Sequence, residues 1–140
     1  MLFPKKVKHR KWQTRRNLRD DRHPATRGTK ISFGSHGLMA ETAGRITSNQ
    51  IEAARKSISR TIKKTGKMWI RVFPDRPVTA KAAEVGMGAG KGDPIGYVFQ
   101  ALPGHVLFEL DGLPDAEAKA ALTEAGSKMP VKTKVVTRVI

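Results

Sequence analysis

The side chains of this chain that could do chemistry are mainly cations. Lysine and arginine number 27 against 12 acidic residues, which gives a net charge of +15. Such a chain attracts polyanions. Cations interspersed with aromatic rings suit nucleic acid, because the charges bind phosphates and the rings stack on bases. The sequence therefore predicts a nucleic-acid partner.

The positive charge is concentrated toward the N-terminus. Residues 1–30 contain eleven basic and two acidic side chains, residues 31–93 eleven and five, and residues 94–140 five and five, so the net charges are +9, +6 and 0. We therefore expect the first two of these segments to face the polyanion and the last to support the fold.

Residues 1–30 show little apolar periodicity, and we interpret them as a basic RNA-binding arm. A disordered tail that only solubilises the chain is the alternative. Trp12, with His9 nearby, favours the arm because an aromatic ring among arginines can stack on a base. The predicted RNA-binding residues of the arm are Lys5, Lys6, Lys8, Arg10, Lys11, Trp12, Arg15 and Arg16.

Catalytic groups are few. The chain has no cysteine, which excludes a disulfide framework, a thiolate nucleophile and a cysteine metal site. The four histidines lack the short spacing of a metal motif, so we expect neither a metal nor a cofactor. An RNA-processing enzyme that uses His36 or His105 with Asp75 as acid and base is one alternative, and a general nucleic-acid condenser is another. We interpret His36 as a turn histidine that could touch RNA.

Residues 74–94 pass from prolines to glycines at positions 86, 88, 90 and 92, which predicts a projecting loop. Phosphate-binding motifs fail here. A Walker loop around Lys91 would need glycine in place of Val85 and serine or threonine in place of Gly92, and Lys91 and Asp93 break the dinucleotide fingerprint. We expect a lysine-tipped loop whose backbone approaches a ligand; a plain flexible linker is the alternative.

One stretch, residues 46–75, must position the cations of the domain. Thr47 and Gln50 fit a capping box that begins a helix, and Gly66 is the matching stop signal. Helical periodicity gives this segment one apolar and one basic face. The apolar face contains Ile51, Ala54, Ile58 and Ile62, and the basic face contains the predicted RNA-binding residues Lys56, Arg60, Lys63 and Lys64.

The remaining elements follow from turn and periodicity signals. A strand followed by a turn is expected within residues 31–38, with a loop over 39–45. Further strands are expected over 68–73 and 131–139, and an antiparallel hairpin of 97–102 with 106–110. The strand over 68–73 carries Arg71, a further predicted RNA-binding residue. A second helix begins at Pro114 and has an apolar stripe of Ala118, Ala121, Leu122 and Ala125.

This order predicts an α+β two-layer sandwich, in which a mixed, mostly antiparallel sheet carries two helices on one face. The length of 140 residues suits a single domain, placed over residues 31–140. The apolar runs are shorter than a bilayer span, and the basic start lacks the apolar region of a signal peptide. We therefore expect a soluble protein that is not secreted by a signal peptide.

Motifs over nearly the whole chain carry a family resemblance. They are the opening MLFPKKVKHRKW, SFGSHGL at residues 32–38, QIEAARKSISR at 50–60, GKMWIRVFPDRPVT at 66–79, MGAGKG at 87–92 and the late segment KMPVKTKVV. In this order they are similar to the large-subunit ribosomal protein L-sixteen family, of bacterial or organellar type. The run at 66–79 is the most specific of them.

The resemblance implies a structural constituent of the ribosome, in the bacterial cytoplasm or in an organelle. It implies binding to large-subunit rRNA near the central protuberance, a role in late assembly, neighbouring ribosomal proteins as partners, and a border with the aminoacyl-tRNA site, with A-site and P-site tRNA as contacts. It implies no enzymatic activity, membrane or small-molecule substrate.

The residues that the resemblance places near tRNA belong to the predicted loop. They are Arg76, Lys81, Gly86, Gly88, Gly90 and Lys91. Gly86 and Ala89 stand where the family pattern RMGKGKG has an arginine and a lysine. The loop therefore carries two fewer positive charges than that pattern, and Lys91 should supply most of its attraction for RNA.

Overall fold

The computed structural model describes residues 2–6, 24–62, 65–80 and 93–138. These ranges contain seven strands and two helices. The first elements are β1 (His36–Ala40), β2 (Gly44–Thr47), α1 (Ser48–Ile62), β3 (Lys67–Ile70) and β4 (Arg76–Ala80). They are followed by β5 (Asp93–Ala101), β6 (Val106–Asp111), α2 (Asp115–Gly126) and β7 (Thr133–Thr137). Neither helix in the described ranges is long and apolar enough to cross a bilayer.

The strands form two sheets. The four-stranded sheet has the order β3-β6-β1-β7, the three-stranded sheet has the order β2-β5-β4, and the pairs within both are antiparallel. The predicted α+β class, with mostly antiparallel strands, is confirmed. The expectation of one sheet was wrong, because β1 pairs with β6 and β7 whereas β2, only a short turn later, pairs with β5.

The hairpin predicted between residues 97–102 and 106–110 was also wrong, since β5 and β6 belong to different sheets. The turn between them bonds to the end of β1 instead. Gly104 N–H donates to the Ala40 carbonyl at 2.8 Å, and Ala40 N–H donates to the His105 carbonyl at 2.8 Å. Gly104 has a φ of 100°, which glycine adopts without steric cost. These bonds hold the turn at the end of β1. There the chain leaves the three-stranded sheet after β5 and enters the four-stranded sheet at β6.

Two short strands, β2 and β4, lie where the sequence predicted loops. β2 begins with Gly44 and β4 contains Pro77, and both residue types are depleted in strands. β4 is an edge of the three-stranded sheet, where a proline is tolerated because one side of the strand makes no ladder bonds. Pairing with β5 therefore overrides the local preference of both segments.

The first strand begins at His36, later than the start predicted at residue 31. The N–H groups of Ser32, Phe33 and Gly34 donate to Glu109 Oε1 at 2.8–2.9 Å. Because these donors bind a side chain, they are not available to a neighbouring strand. Residues 32–34 therefore form a loop against the sheet.

α1 has the predicted start and the predicted core face. Thr47 N–H donates to Gln50 Oε1 at 2.8 Å, and Gln50 N–H donates to Thr47 Oγ1 at 3.3 Å, which confirms the capping box. The helix ends before Gly66, where a Cβ atom would lie 2.5 Å from the Ile62 side chain. All four predicted core residues are buried: Ile51, Ala54, Ile58 and Ile62.

α2 lies beside α1, and the two helices cover one face of the four-stranded sheet. It begins after Pro114 as predicted, and its predicted stripe is buried: Ala118, Ala121, Leu122 and Ala125. Residues 32–34 lie on the opposite face, where their N–H groups donate to the side chain of Glu109. β6 is therefore buried on both faces, which explains why Glu109 is buried as fully as its apolar neighbours.

Candidate nucleic-acid interface

The exposed face of α1 carries two of the predicted RNA-binding cations. Lys56 and Arg60 are both exposed. They are four residues apart, so they lie one turn from each other on the same face of the helix. The opposite face of α1 is buried in the core, so the cationic face points to solvent. Lys63 and Lys64 lie outside the described residues.

A groove of about 600 Å³ separates this face from the end of α2. One of its carboxylates is already neutralised, because Arg55 Nε lies 3.1 Å from both oxygens of Glu52. The hydrogen bond from Arg55 lowers the pKa of Glu52. The remaining charges leave an excess of cations. The groove is lined by Asn49, Glu52, Ala53, Lys56, Ser57, Arg60, Glu124 and Lys128.

Ser57 adds a polar atom to the lining of this groove. Its side chain is 5% exposed, and its Oγ has no hydrogen-bond partner within the described residues. A buried hydroxyl without a partner costs about 1–3 kcal/mol. The hydroxyl lies beneath the surface, so the accessible polar groups of the groove are its charged side chains.

Only the two ends of the predicted arm fall within the described ranges. Lys5 and Lys6 are exposed. Leu2 packs against the core, and the ring of Phe3 meets Tyr97 edge-on with centroids 5.1 Å apart. The start of the chain thus lies against β5. The other predicted arm residues lie outside the described residues: Lys8, Arg10, Lys11, Trp12, Arg15 and Arg16.

Arg71, another predicted RNA-binding residue, forms an ion pair within the fold. Its guanidinium binds the carboxylate of Glu109, which is fully buried. Burial raises the pKa of Glu109, but bonds from Gly34 N–H, Arg71 and Phe33 N–H outweigh burial, so its pKa is lowered overall. Contact of Arg71 with RNA stays a prediction. In the fold, Arg71 neutralises the buried carboxylate.

An exposed aromatic ring lies beside this ion pair. Phe33 is 54% exposed and stacks on Trp69, with centroids 6.0 Å apart and ring planes inclined by 20°. Arg71 Cζ lies 5.1 Å from the centre of the Phe33 ring. Neither ring is among the residues predicted from the sequence to bind RNA. The alternation of Trp69 and Arg71 in a strand is a signal that they share a face, but Phe33 is remote in sequence.

The structure corrects the placement of Arg76 and of the predicted loop. Arg76 is the first residue of β4, and its Nη1 donates to Gln100 Oε1 of β5 at 2.5 Å. β4 and β5 remain paired as far as Ala80 and Asp93. The segment predicted as one loop therefore contains a strand. The other residues expected near tRNA lie outside the described ranges: Lys81, Gly86, Gly88, Gly90 and Lys91.

His36 is not a turn histidine, and that prediction was wrong. It lies in β1 and is 8% exposed. Its Nε2 is 2.8 Å from Asp115 Oδ1 at the start of α2, and its Nδ1 is 2.9 Å from Ser35 Oγ. The bond with His36, and then that with Lys119, lowers the pKa of Asp115. The ring therefore ties α2 to the sheet.

His105, the second histidine considered as a catalytic base, also has a structural contact. Its Nδ1 accepts the N–H of Leu102 at 2.9 Å, and burial lowers its pKa, which favours the neutral ring. Within the described residues, neither His36 nor His105 hydrogen-bonds to Asp75. The acid–base pair of the enzyme alternative is therefore not assembled there.

A comparison with protein families agrees with this picture. The family model described as ribosomal protein L16p/L10e matches residues 4–136, a span that includes every helix of the described ranges and nearly all of the strand residues. Proteins of this family are components of the ribosome and in general are not enzymes, and their partners are rRNA and other ribosomal proteins. The chain belongs to the ribosomal protein L16p/L10e family, and it is a large-subunit ribosomal protein that binds rRNA and serves translation.

Proposed function

We propose that this chain is a structural constituent of the large subunit that grips rRNA phosphates with the cationic face of α1 and with its basic arm. In this role it contributes to late assembly of the subunit and borders the aminoacyl-tRNA site. The arm and the domain divide at about residue 30 in this proposal, as the charge distribution indicates.

The arrangement on α1 is the observation that carries the proposal. Lys56 and Arg60 are exposed on one face, while the other face is fully engaged in the core. They line the same groove as Lys128 of the segment after α2. Two elements thus contribute cations to one concave surface. A phosphate is the ligand that such a surface accepts, because lysine and arginine donors bind its oxygens with charge-assisted bonds.

Exposed cations carry the electrostatics of this groove, since the Ser57 hydroxyl is buried beneath them. The Glu52–Arg55 pair leaves the groove less acidic than its residue types suggest. We therefore place one segment of rRNA backbone along this groove.

Replacing Lys56 and Arg60 together with glutamine should weaken binding to large-subunit rRNA by about tenfold and lower the slope of log affinity against log salt by about 1.5. The melting temperature of the free protein should not change, because both side chains are exposed. Filter binding over a salt series and thermal unfolding by circular dichroism give the two results.

The matched control removes the same charge elsewhere, with glutamine at Lys119 of α2 and at Lys132 before β7, both exposed. This variant should keep the affinity for rRNA and most of the salt slope. Equal losses in the two variants, or equal binding of the normal chain to an unrelated duplex, would instead identify a general nucleic-acid condenser. A fall in melting temperature for Lys56→Gln with Arg60→Gln would mean that the α1 face is packed.

The proposed border with tRNA rests on the resemblance and on the hairpin of β4 and β5. The two strands are paired at Ala80 and Asp93, so the lysine- and glycine-rich segment 81–92 joins adjacent strand ends. Because both ends of this segment are attached to the β4–β5 hairpin, Lys91 is tethered to the end of that hairpin. We propose tRNA as the partner of this segment.

A further inference from the structure

We propose that Phe33, seated on Trp69, is a stacking platform for one unpaired base of RNA. The proposal rests on the proposed function, because it takes the partner to be rRNA. It concerns a different surface from the cationic face of α1. The platform comprises the rings of Phe33 and Trp69 together with the ion pair of Arg71 and Glu109 beside them.

The contacts of Phe33 leave part of its ring uncovered. Trp69 lies in β3 and Arg71 follows it two residues later, so both side chains project from the same side of this edge strand. Both contact Phe33, at 6.0 Å between ring centroids and at 5.1 Å from Arg71 Cζ to the ring centre. With 54% of the residue exposed, a further planar group can reach the ring.

The platform is held in place before any ligand binds. Glu109 accepts hydrogen bonds from the N–H groups of Ser32, Phe33 and Gly34, at 2.9, 2.8 and 2.9 Å. Gly34 packs so closely that a Cβ atom there would lie 2.4 Å from the Leu110 carbonyl oxygen. The backbone that carries the ring is thus fixed to β6. A fixed ring loses little conformational entropy on binding, which favours stacking.

Charge at the platform is nearly balanced. The cation of Arg71 is paired with Glu109, and Lys67 of β3 stands directly opposite Asp111 of β6 in the strand register. The attraction of this surface for RNA should therefore depend on the base and little on the phosphates. A single exposed phenylalanine is ordinary on a protein surface. A fixed, stacked and exposed ring on a basic rRNA-binding chain is the arrangement that suits a base.

The test uses the full chain with Trp12→Phe, which leaves Trp69 as its only tryptophan. Filter binding gives the affinities for a single-stranded oligoadenylate and for an abasic ribose–phosphate oligomer of the same length, and Trp69 fluorescence reports whether a base reaches the platform. Adding Phe33→Leu should weaken oligoadenylate binding by about tenfold, since base–aromatic stacking contributes about 1–3 kcal/mol per base. Binding of the abasic oligomer and the salt slope should not change. Phe33→Tyr should restore the affinity.

Phe3→Leu is the matched control, because Phe3 is also exposed but contacts Tyr97 of the other sheet. It should leave both affinities unchanged. Equal weakening for the two oligomers in Phe33→Leu, or equal effects of Phe3→Leu and Phe33→Leu, would overturn the platform. Lys56→Gln with Arg60→Gln should weaken both oligomers alike, so a failure of the platform is distinguishable from a failure of the proposed function.

Discussion

Replacing Glu109 with alanine is expected to lower the free energy of unfolding by about 3–5 kcal/mol, because Arg71 then loses the carboxylate with which it pairs inside the fold. The N–H groups of Ser32, Phe33 and Gly34 lose their acceptor at the same time. Gly34 is buried, so its N–H would be left without an acceptor, whereas water can replace the acceptor at the exposed Ser32 and Phe33. Urea denaturation followed by circular dichroism measures the loss.

Two further variants show whether the loss belongs to this network. Glu117→Ala removes an exposed carboxylate of α2 and should change the free energy of unfolding by no more than about 0.5 kcal/mol. Combining Arg71→Ala with Glu109→Ala should cost less than the sum of the two single changes, because each removes the same contact. A loss below about 1 kcal/mol in Glu109→Ala would contradict the assigned role.

The pH dependence of this network has a definite sign. The pKa of Glu109 is lower in the fold than the ordinary glutamate value, so its contribution is present above that value and is lost as the pH falls through the lower, folded pKa. The stability difference between the normal chain and Glu109→Gln should therefore be largest at neutral pH and shrink in acid. A difference that grows on acidification would be incompatible with this assignment.

Changing Ile58 to aspartate should lower the free energy of unfolding by about 4 kcal/mol or more, because it places an unpaired carboxylate in the centre of the core. Ile58 has no exposed surface and belongs to the cluster that joins α1, α2 and the four-stranded sheet. The loss is measured by the same urea denaturation. The variant should also resist rescue by high salt, since the cost is desolvation rather than repulsion between surface charges.

Ser59→Asp is the matched control for that change. It adds the same charge to the next residue of α1, which is exposed, and should alter stability by no more than about 0.5 kcal/mol. Similar losses for the two variants would mean that the buried and exposed faces of α1 are not distinguished as described. The assignment of Lys56 and Arg60 to an exposed face of α1 would then no longer be supported.

The helices were predictable because their signals are local. The capping box of Thr47 and Gln50 and the apolar face of α1 involve residues three or four apart, and both are confirmed. The short strands were not predictable. Gly44 and Pro77 disfavour strands locally, and only pairing with β5 makes strands of β2 and β4. The prediction of a hairpin between β5 and β6 was wrong because the turn after β5 is hydrogen-bonded to the end of β1.

The candidate interface likewise contains residues that could be predicted from the sequence and residues that could not. Lys56 and Arg60 were found from helical periodicity, because the core face of one helix determines its exposed face. Glu109 was not found, since the groups that it holds lie 75 to 77 residues earlier in the chain, and Arg71 lies 38 residues away. Periodicity within a strand contains no information about such distant partners. The Phe33 platform depends on the same distant contacts, so it could not be predicted from the sequence either.

Directed hydroxyl-radical probing from α1 tests the central claim, that this helix face lies on rRNA. The chain has no cysteine, so Ser59→Cys alone can carry a tethered iron chelate on the exposed side of α1, and Glu117→Cys on α2 is the reference. In assembled large subunits, the position 59 probe should cut the large-subunit rRNA strongly within one compact site, and the position 117 probe should cut that site weakly or not at all. Absence of cutting from position 59, or equal cutting of that site from both positions, would contradict the claim.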